Sequence, residues 1–294
     1  MQISANGIAL EVEDHGSPAG EPLLLIMGLG MQLVAWHTEF VASLVARGYR
    51  VIRFDNRDIG LSQRFDHLGI PNLAVDSLKY AVGLSVSSPY TVADMADDAA
   101  GVLDALGLPA AHICGASMGG MIAQQMAVRH TRKVKSMTLM MTSSGSRKLP
   151  GPTLKIRSAL IARAANPNDV QSVIDHYVRL YRLIGSPGYP ATEAYLQERL
   201  GMSVRRSYRP QGTARQMVAI AADGNRSKLI AQVKVPTHII HGRQDPLVPV
   251  AAGHDLAAKI PGATIDVIDG MGHDLPVPLW PRFVAGIDGA AARA

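Results

Sequence analysis

Three short runs hold residues that could share one nucleophilic reaction: Gly115-Ala-Ser117-Met-Gly119, His241-Gly-Arg-Gln-Asp245-Pro-Leu-Val-Pro249 and Gly270-Met-Gly-His273-Asp-Leu-Pro276. A serine hydroxyl is a weak nucleophile at neutral pH. It needs a base within hydrogen-bond reach, and that base needs a partner to fix its tautomer. His273 sits among glycines and prolines rather than on an apolar face, which disfavours a core histidine. Asp245 precedes Pro246, so capping a turn is its alternative role. Asp266 is a second candidate for the acid, and His241 reads as structural.

Position gives Ser117 its weight, because Gly-x-Ser-x-Gly alone occurs in many loops. The apolar run 111–114 precedes it and a helix-like run, 118–129, follows. A strand turning directly into a helix strains the central residue, and glycines on either side remove the side chains that would collide. The helix beginning at Met118 also offers free N–H groups and the positive end of its dipole, where an oxyanion would develop.

These residues need a scaffold, and the hydrophobic pattern supplies one. Residues 8–12 alternate like an edge strand, and 22–27, 50–54, 111–114 and 134–141 are short apolar runs suited to strands covered on both faces. Between them, 36–47 and 118–129 have helical spacing, and Thr91 can cap a helix reaching Leu106. Residues 65–90 hold two prolines, Pro71 and Pro89, and weak periodicity, and read as an excursion from the core. Helical segments at 154–165, 169–183, 191–202 and 212–222 interrupt the rhythm, which resumes with strands 237–241 and 264–268 and helices 250–259 and 280–287. The pattern implies a mostly parallel α/β sheet with helices on both faces, which binds ligands beyond the carboxyl ends of its strands.

Composition narrows the function classes. With 294 residues, 47% hydrophobic and 18% charged, the chain can bury one large core plus a subdomain. Net charge is +5, unevenly spread: residues 146–232 hold 14 Lys/Arg against 5 Asp/Glu, and the rest 15 against 19. Apart from Arg205, Arg206 and Arg209 the basic residues are scattered at helical spacings rather than clustered, and no nucleic-acid-binding module is present, so no nucleic-acid partner is expected. The longest apolar stretch, 23–34, is broken by Gly28, Gly30 and Gln32 and is too short to span a bilayer. The first residues lack the basic and apolar regions of a signal peptide. One cysteine, Cys114, permits no internal disulfide and reads as an inert core residue, so a cytoplasmic location is expected. His238 and His241, three apart on one strand, face opposite ways and cannot chelate together. No metal and no cofactor are expected. Gly28-Leu-Gly30 is not followed by the third glycine of a dinucleotide loop, so Asp55 after the next strand does not make one of it.

Taken together, the chain resembles an α/β-hydrolase over nearly its whole length. The resemblance rests on the three runs above and on the strand-glycine turn Leu25-Ile-Met-Gly-Leu-Gly30, each following its expected strand, in the family order nucleophile, acid, histidine. The run Phe54-Asp-Asn-Arg-Asp-Ile-Gly-Leu-Ser62 is similar to a segment of the branch that includes aclacinomycin methylesterase-like enzymes, which act on polyketide esters. There Asp55 and Arg57 would structure the loop, with a solvated loop as the alternative.

The resemblance implies a serine esterase with Ser117, His273 and Asp245 as catalytic residues and the backbone N–H groups of Leu29 and Met118 as oxyanion hole. Met27 stands where many relatives have a histidine. It also implies a core of residues 1–145 and 233–294 and a helical lid of residues 146–232. The methionines in or beside the three turns, Met27, Met31, Met118, Met121 and Met271, with Gly28 and with Tyr177 and Tyr181 from the lid, would form an adaptable apolar wall around a bulky ester or lactone, with ordinary core methionines as the alternative and the favoured one for Met121. The basic charge of the lid is expected to be mainly a solvated outer face, with steering of an anionic substrate as the alternative. Perhydrolysis or cofactor-free halogenation by the same residues, and a non-catalytic binding role, are competing functions. Haloalkane dehalogenase and epoxide hydrolase chemistry fail, because both need a carboxylate at position 117.

Overall fold

The computed structural model describes all 294 residues. Eight strands form one sheet: β1 (Gln2–Ala5), β2 (Ile8–His15), β3 (Glu21–Ile26), β4 (Tyr49–Phe54), β5 (Ala111–Ala116), β6 (Val134–Met140), β7 (Thr237–Gly242) and β8 (Thr264–Ile268). Their order is β1-β2-β4-β3-β5-β6-β7-β8. The β1-β2 and β2-β4 pairs are antiparallel and all others are parallel. The α/β class expected from the sequence holds.

Alternation along each strand divides the core in two. Leu24 and Ile26 of β3, Ile52 of β4 and Ile113 of β5 face one hydrophobic cluster, while Leu23, Leu25, Val51 and Cys114 face another. The first cluster is covered by α3 (Val92–Ala105), α4 (Met118–Arg129) and α10 (Ala251–Lys259). The second is covered by α1 (Thr38–Val45) and α11 (Trp280–Ala291). Burial on both faces is what makes the central strands apolar throughout. Thr91 caps α3 in a reciprocal box with Asp94, which satisfies N–H groups that have no partner inside the helix.

Two elements differ from expectation. Residues 8–15 are not the edge strand, because β1 lies outside them. Asn6 and Gly7, with φ of 49° and 74°, form the tight turn between the two, a two-residue hairpin whose Asn-Gly signal is present in the sequence. The excursion at 65–90 contains a helix, α2 (Leu73–Ala81), with no buried residue, capped by Asn72.

Between β6 and β7, which are sheet neighbours, the chain adds α5 (Leu154–Ile161), α6 (Val170–Ile184), α7 (Glu193–Arg206), α8 (Pro210–Asp223) and α9 (Ser227–Ile230). Helices α6 and α7 share a small cluster of their own, formed by Ile174, Val178, Leu196 and Leu200. By contrast, Ala219 of α8 and Ile230 of α9 belong to the main core. No helix is long and apolar enough to cross a membrane.

The charge asymmetry has a structural cause that a solvated face does not cover. Of the 14 Lys/Arg in 146–232, nine are exposed, but Arg199, Arg206, Arg209, Arg215 and Arg226 are not. Arg206 donates to Asp55 at 2.7 Å, Arg215 to both carboxylate oxygens of Asp58 at 2.5 and 2.8 Å, and Arg209 to the Ser62 carbonyl at 2.8 Å. Arg57 completes the seam on Asp98 at 2.6 Å. The 54–60 loop is therefore buried and ionically clamped, and the solvated-loop alternative fails.

Candidate active site

Ser117, Asp245 and His273 all follow the carboxyl ends of parallel strands, β5, β7 and β8, and so lie on one side of the sheet. Strand β3 lies between β4 and β5, so the direction of winding reverses at the β3-β5 boundary, where the pairing of Ile26 with Gly115 brings the Gly28-Leu29 turn beside Ser117. Open α/β sheets form their ligand crevice at such a reversal. Asp245 and His273 follow β7 and β8 on the same side.

Ser117 has φ 53° and ψ −117°, a left-handed conformation costly for a residue with a side chain. Its surroundings fix it there. The N–H of Ser117 donates to the Met140 carbonyl at 2.9 Å, and its own carbonyl accepts from the Gly120 N–H at 2.9 Å and the Thr142 hydroxyl at 2.7 Å. A Cβ on Gly119 would lie 2.0 Å from the Ile26 carbonyl oxygen, and one on Gly115 would lie 2.3 Å from the Gly119 oxygen. Both glycines are thus required by close backbone approach.

His273 Nε2 is 3.0 Å from Ser117 Oγ, and its Nδ1 is 2.7 Å from Asp245 Oδ2. The other oxygen of Asp245 accepts from the N–H groups of Leu247 and Val248 at 2.9 and 2.8 Å. One carboxylate therefore both caps the turn and orients the histidine. Because it must accept from Nδ1–H, the Nε2 lone pair is left facing the serine. His241 donates to the Val248 carbonyl at 2.7 Å, and burial lowers its pKa, which keeps it neutral and structural. Asp266 is engaged by Arg282 at 2.5 and 2.7 Å. Asp274, beside His273, is held by Ser186, and burial raises its pKa.

Oxyanion donors are judged by which N–H groups remain free. Met118 is the first residue of α4, so its N–H has no acceptor inside the helix. Leu29 N–H makes no hydrogen bond within the protein, whereas its neighbour Gly30 N–H donates to Gln216 at 2.9 Å. A Cβ on Gly28 would sit 3.7 Å from Ser117 Oγ, so that turn faces the serine.

The family model described as alpha/beta hydrolase fold matches residues 21–277. The chain belongs to the α/β-hydrolase fold family. Among its relatives are two rhodomycin D methylesterases. That of Streptomyces sp. (strain C5) is 27% identical and that of Streptomyces peucetius 28%, each match covering 97% of this chain and 95% of the relative. An enol-lactonase from Burkholderia xenovorans shares the fold, with a TM-score of 0.76 and 22% identity over 99% of this chain and all of that one.

Hydrogen-bond connectivity alone does not make a site in this α/β-hydrolase. A second row, Ser136, His112 and Glu21, has comparable spacing: 2.7 Å from Ser136 Oγ to His112 Nδ1 and 3.3 Å from His112 Nε2 to Glu21. Ser136 is 1% exposed in an ordinary strand. Sealed in the middle of that strand, it has no access to a substrate.

The apolar wall expected from methionines is mostly core. Met118 and Met271 are fully buried, and Met27 and Met121 nearly so, all four packed inside the two hydrophobic clusters. Their sequence positions beside catalytic turns carry no information about side-chain direction. Met31 differs: it lines a cavity with Ile59, Leu200, Tyr208 and the expected Tyr177. Tyr181 reaches the Met31 sulfur at 3.5 Å. Burial pushes the Tyr177 hydroxyl up to about 12 and that of Tyr181 higher still, so both stay neutral donors.

Proposed function

We propose that this protein is a serine carboxylic-ester hydrolase in which Ser117 is the nucleophile, His273 the general base and acid, and Asp245 the residue that orients it. One observation carries the reading: the row Asp245, His273, Ser117, with contacts of 2.7 and 3.0 Å, ends at a strained strand-to-helix corner. His273 Nε2 takes the Ser117 proton as Oγ bonds to the ester carbonyl carbon. The resulting oxyanion meets the N–H groups of Leu29 and Met118, donors that strengthen as charge develops. The histidinium then protonates the leaving alcohol, and a water, deprotonated by the same nitrogen, releases the acid from the acyl-enzyme.

The substrate class is an alkyl ester, methyl foremost, or a lactone of a bulky, mostly apolar acid. The two methylesterase relatives support it, as does the cavity of Met31, Ile59, Tyr177, Leu200 and Tyr208 beside the Gly30 turn. Residues 146–232 act as the lid. The cavity holds about 40 Å³, far below the few hundred of a ligand pocket, and Ser117, Asp245 and His273 do not line it, so in this reading a bulky substrate reaches the serine only as residues 146–232 move. That movement falls to the α6-α7 hairpin, which has its own cluster, rather than to α8, which is rooted in the core. The single buried thiol, Cys114, suits a reducing compartment such as the cytoplasm.

The test is Ser117→Ala with a fluorophosphonate probe and a panel of methyl esters and lactones. Activity and labelling are both expected to vanish while the thermal transition stays in place. Labelling that persists in Ser117→Ala removes the nucleophile assignment.

A further inference from the structure

Gln216 lies on α8, outside the catalytic row, and is fully buried. Its side-chain amide makes two hydrogen bonds: Oε1 accepts from the Gly30 N–H at 2.9 Å, and Nε2 donates to the Arg57 carbonyl at 3.0 Å. Only this orientation satisfies both, since one partner is a donor and the other an acceptor. Gly30 follows directly on Leu29. The amide therefore joins the turn that carries the Leu29 N–H to the clamped 54–60 loop.

Other features press the turn onto the inserted helices. Gly30 has φ 68°, and a Cβ there would lie 2.8 Å from the Thr213 hydroxyl oxygen. Gln32 donates to the carbonyls of Ser203 and Ser207 and accepts from Arg206 at 2.7 Å. On the other side, Asn56 donates to the Met27 carbonyl at 2.9 Å. The neighbouring Arg215, bound to Asp58, locks the register of α8 one residue before Gln216. A glycine-containing turn has little stiffness of its own, so the aim of the Leu29 N–H depends on these partners.

We propose that Gln216 is a positioning residue of the oxyanion hole: through Gly30 N–H it sets the direction of Leu29 N–H, making part of the inserted helical region a component of the catalytic apparatus. The inference rests on reading Ser117 as the nucleophile and Leu29 as an oxyanion donor. Loss of an oxyanion donor costs about 10²–10³ in kcat. Here the donor remains but is released, so a fall of roughly 10- to 100-fold is expected.

The experiment compares Gln216→Met, which keeps the length and loses both bonds, with Gln216→Glu, which as a buried, protonated carboxyl repeats both. For Gln216→Met, kcat should fall as stated with KM within about threefold, and the Ki of a trifluoromethyl ketone, which forms an oxyanion on Ser117, should rise by the same factor. Binding of the product acid should not change. Gln216→Glu should recover most of the rate. Hydrogen exchange on the native protein adds a reading that needs no variant: the Gly30 amide should be protected like a strand amide. A Gly30 amide that exchanges like an open loop overturns the inference. So does a Gln216→Met protein with kcat within twofold of the native enzyme, or equal losses in both variants that follow their thermal stability. If instead Ser117→Ala keeps activity, the nucleophile reading fails, while Gly30 protection still reports on the Gln216 bond by itself.

Discussion

Replacing Asp245 by Asn should cost far more than the loss of one hydrogen bond, and the structure says why. In the native site Oδ1 accepts from two backbone N–H groups, of Leu247 and Val248, and Oδ2 accepts from His273 Nδ1–H. An asparagine can keep the two backbone bonds only by turning its NH₂ toward His273. Nδ1 must then accept, the ring proton moves to Nε2, and that nitrogen presents a proton to Ser117 instead of a lone pair. Flipping the amide restores the useful tautomer but places NH₂ against two N–H donors. At about 1–3 kcal/mol for each unsatisfied buried donor, the flip costs roughly 2–6 kcal/mol, so the active arrangement is populated about 30-fold to 10⁴-fold less. Loss of the carboxylate charge beside the histidinium adds to this, and a fall in kcat on the order of a thousandfold or more follows. Steady-state turnover of a p-nitrophenyl ester, the phosphonylation rate of Ser117 and the nitrogen shifts of His273 measure rate, nucleophilicity and tautomer separately. A loss below about tenfold, or a His273 that keeps its proton on Nδ1 with activity gone, would refute the tautomer argument. Transfer of the acid role to Asp266 is not expected, since Arg282 holds it.

Two further outcomes follow from the packing of the inserted helices. Arg215→Met leaves the carboxylate of Asp58, 1% exposed, without its guanidinium, and urea unfolding should show a loss of about 3–5 kcal/mol; a change under 1 kcal/mol would mean the seam is not clamped. Burial, then the charge of Arg199, lowers the pKa of His37 from 6.5 to about 4 where it bonds Tyr195. The unfolded chain binds that proton first, so the neutral ring contributes stability that is complete above pH 6.5 and fades as pH falls toward 4. Thermal melts across that range should show His37→Phe gaining on the native protein as the solution is acidified, and a constant difference would refute it.

Much of the scaffold was legible in the sequence because it is written in local terms. Apolar runs of strand length, the two-turn periodicity of α3 and α4, the Thr91 box and the Gly-x-Ser-x-Gly corner each depend on a few neighbouring residues. So do the turns carrying Asp245 and His273, whose glycines and prolines state where the chain must bend. The missing strand β1 was legible too, in Asn6-Gly7. What the tertiary structure alone decided is which way side chains point and what meets across long separations. Met31 and Met271 are alike in sequence context, yet one lines the cavity and the other is sealed in the core, because burial depends on the helix packed overhead. Arginines 206, 209 and 215 read as surface charge until the Asp55–Ser62 loop, some 150 residues earlier, is brought against them. Gln216, with no motif around it, gains its place only when α8 is laid on the Gly30 turn. Local preference sets the elements. The contacts that aim the serine site arise from pairings distant in the chain, which leave no pattern in a single sequence.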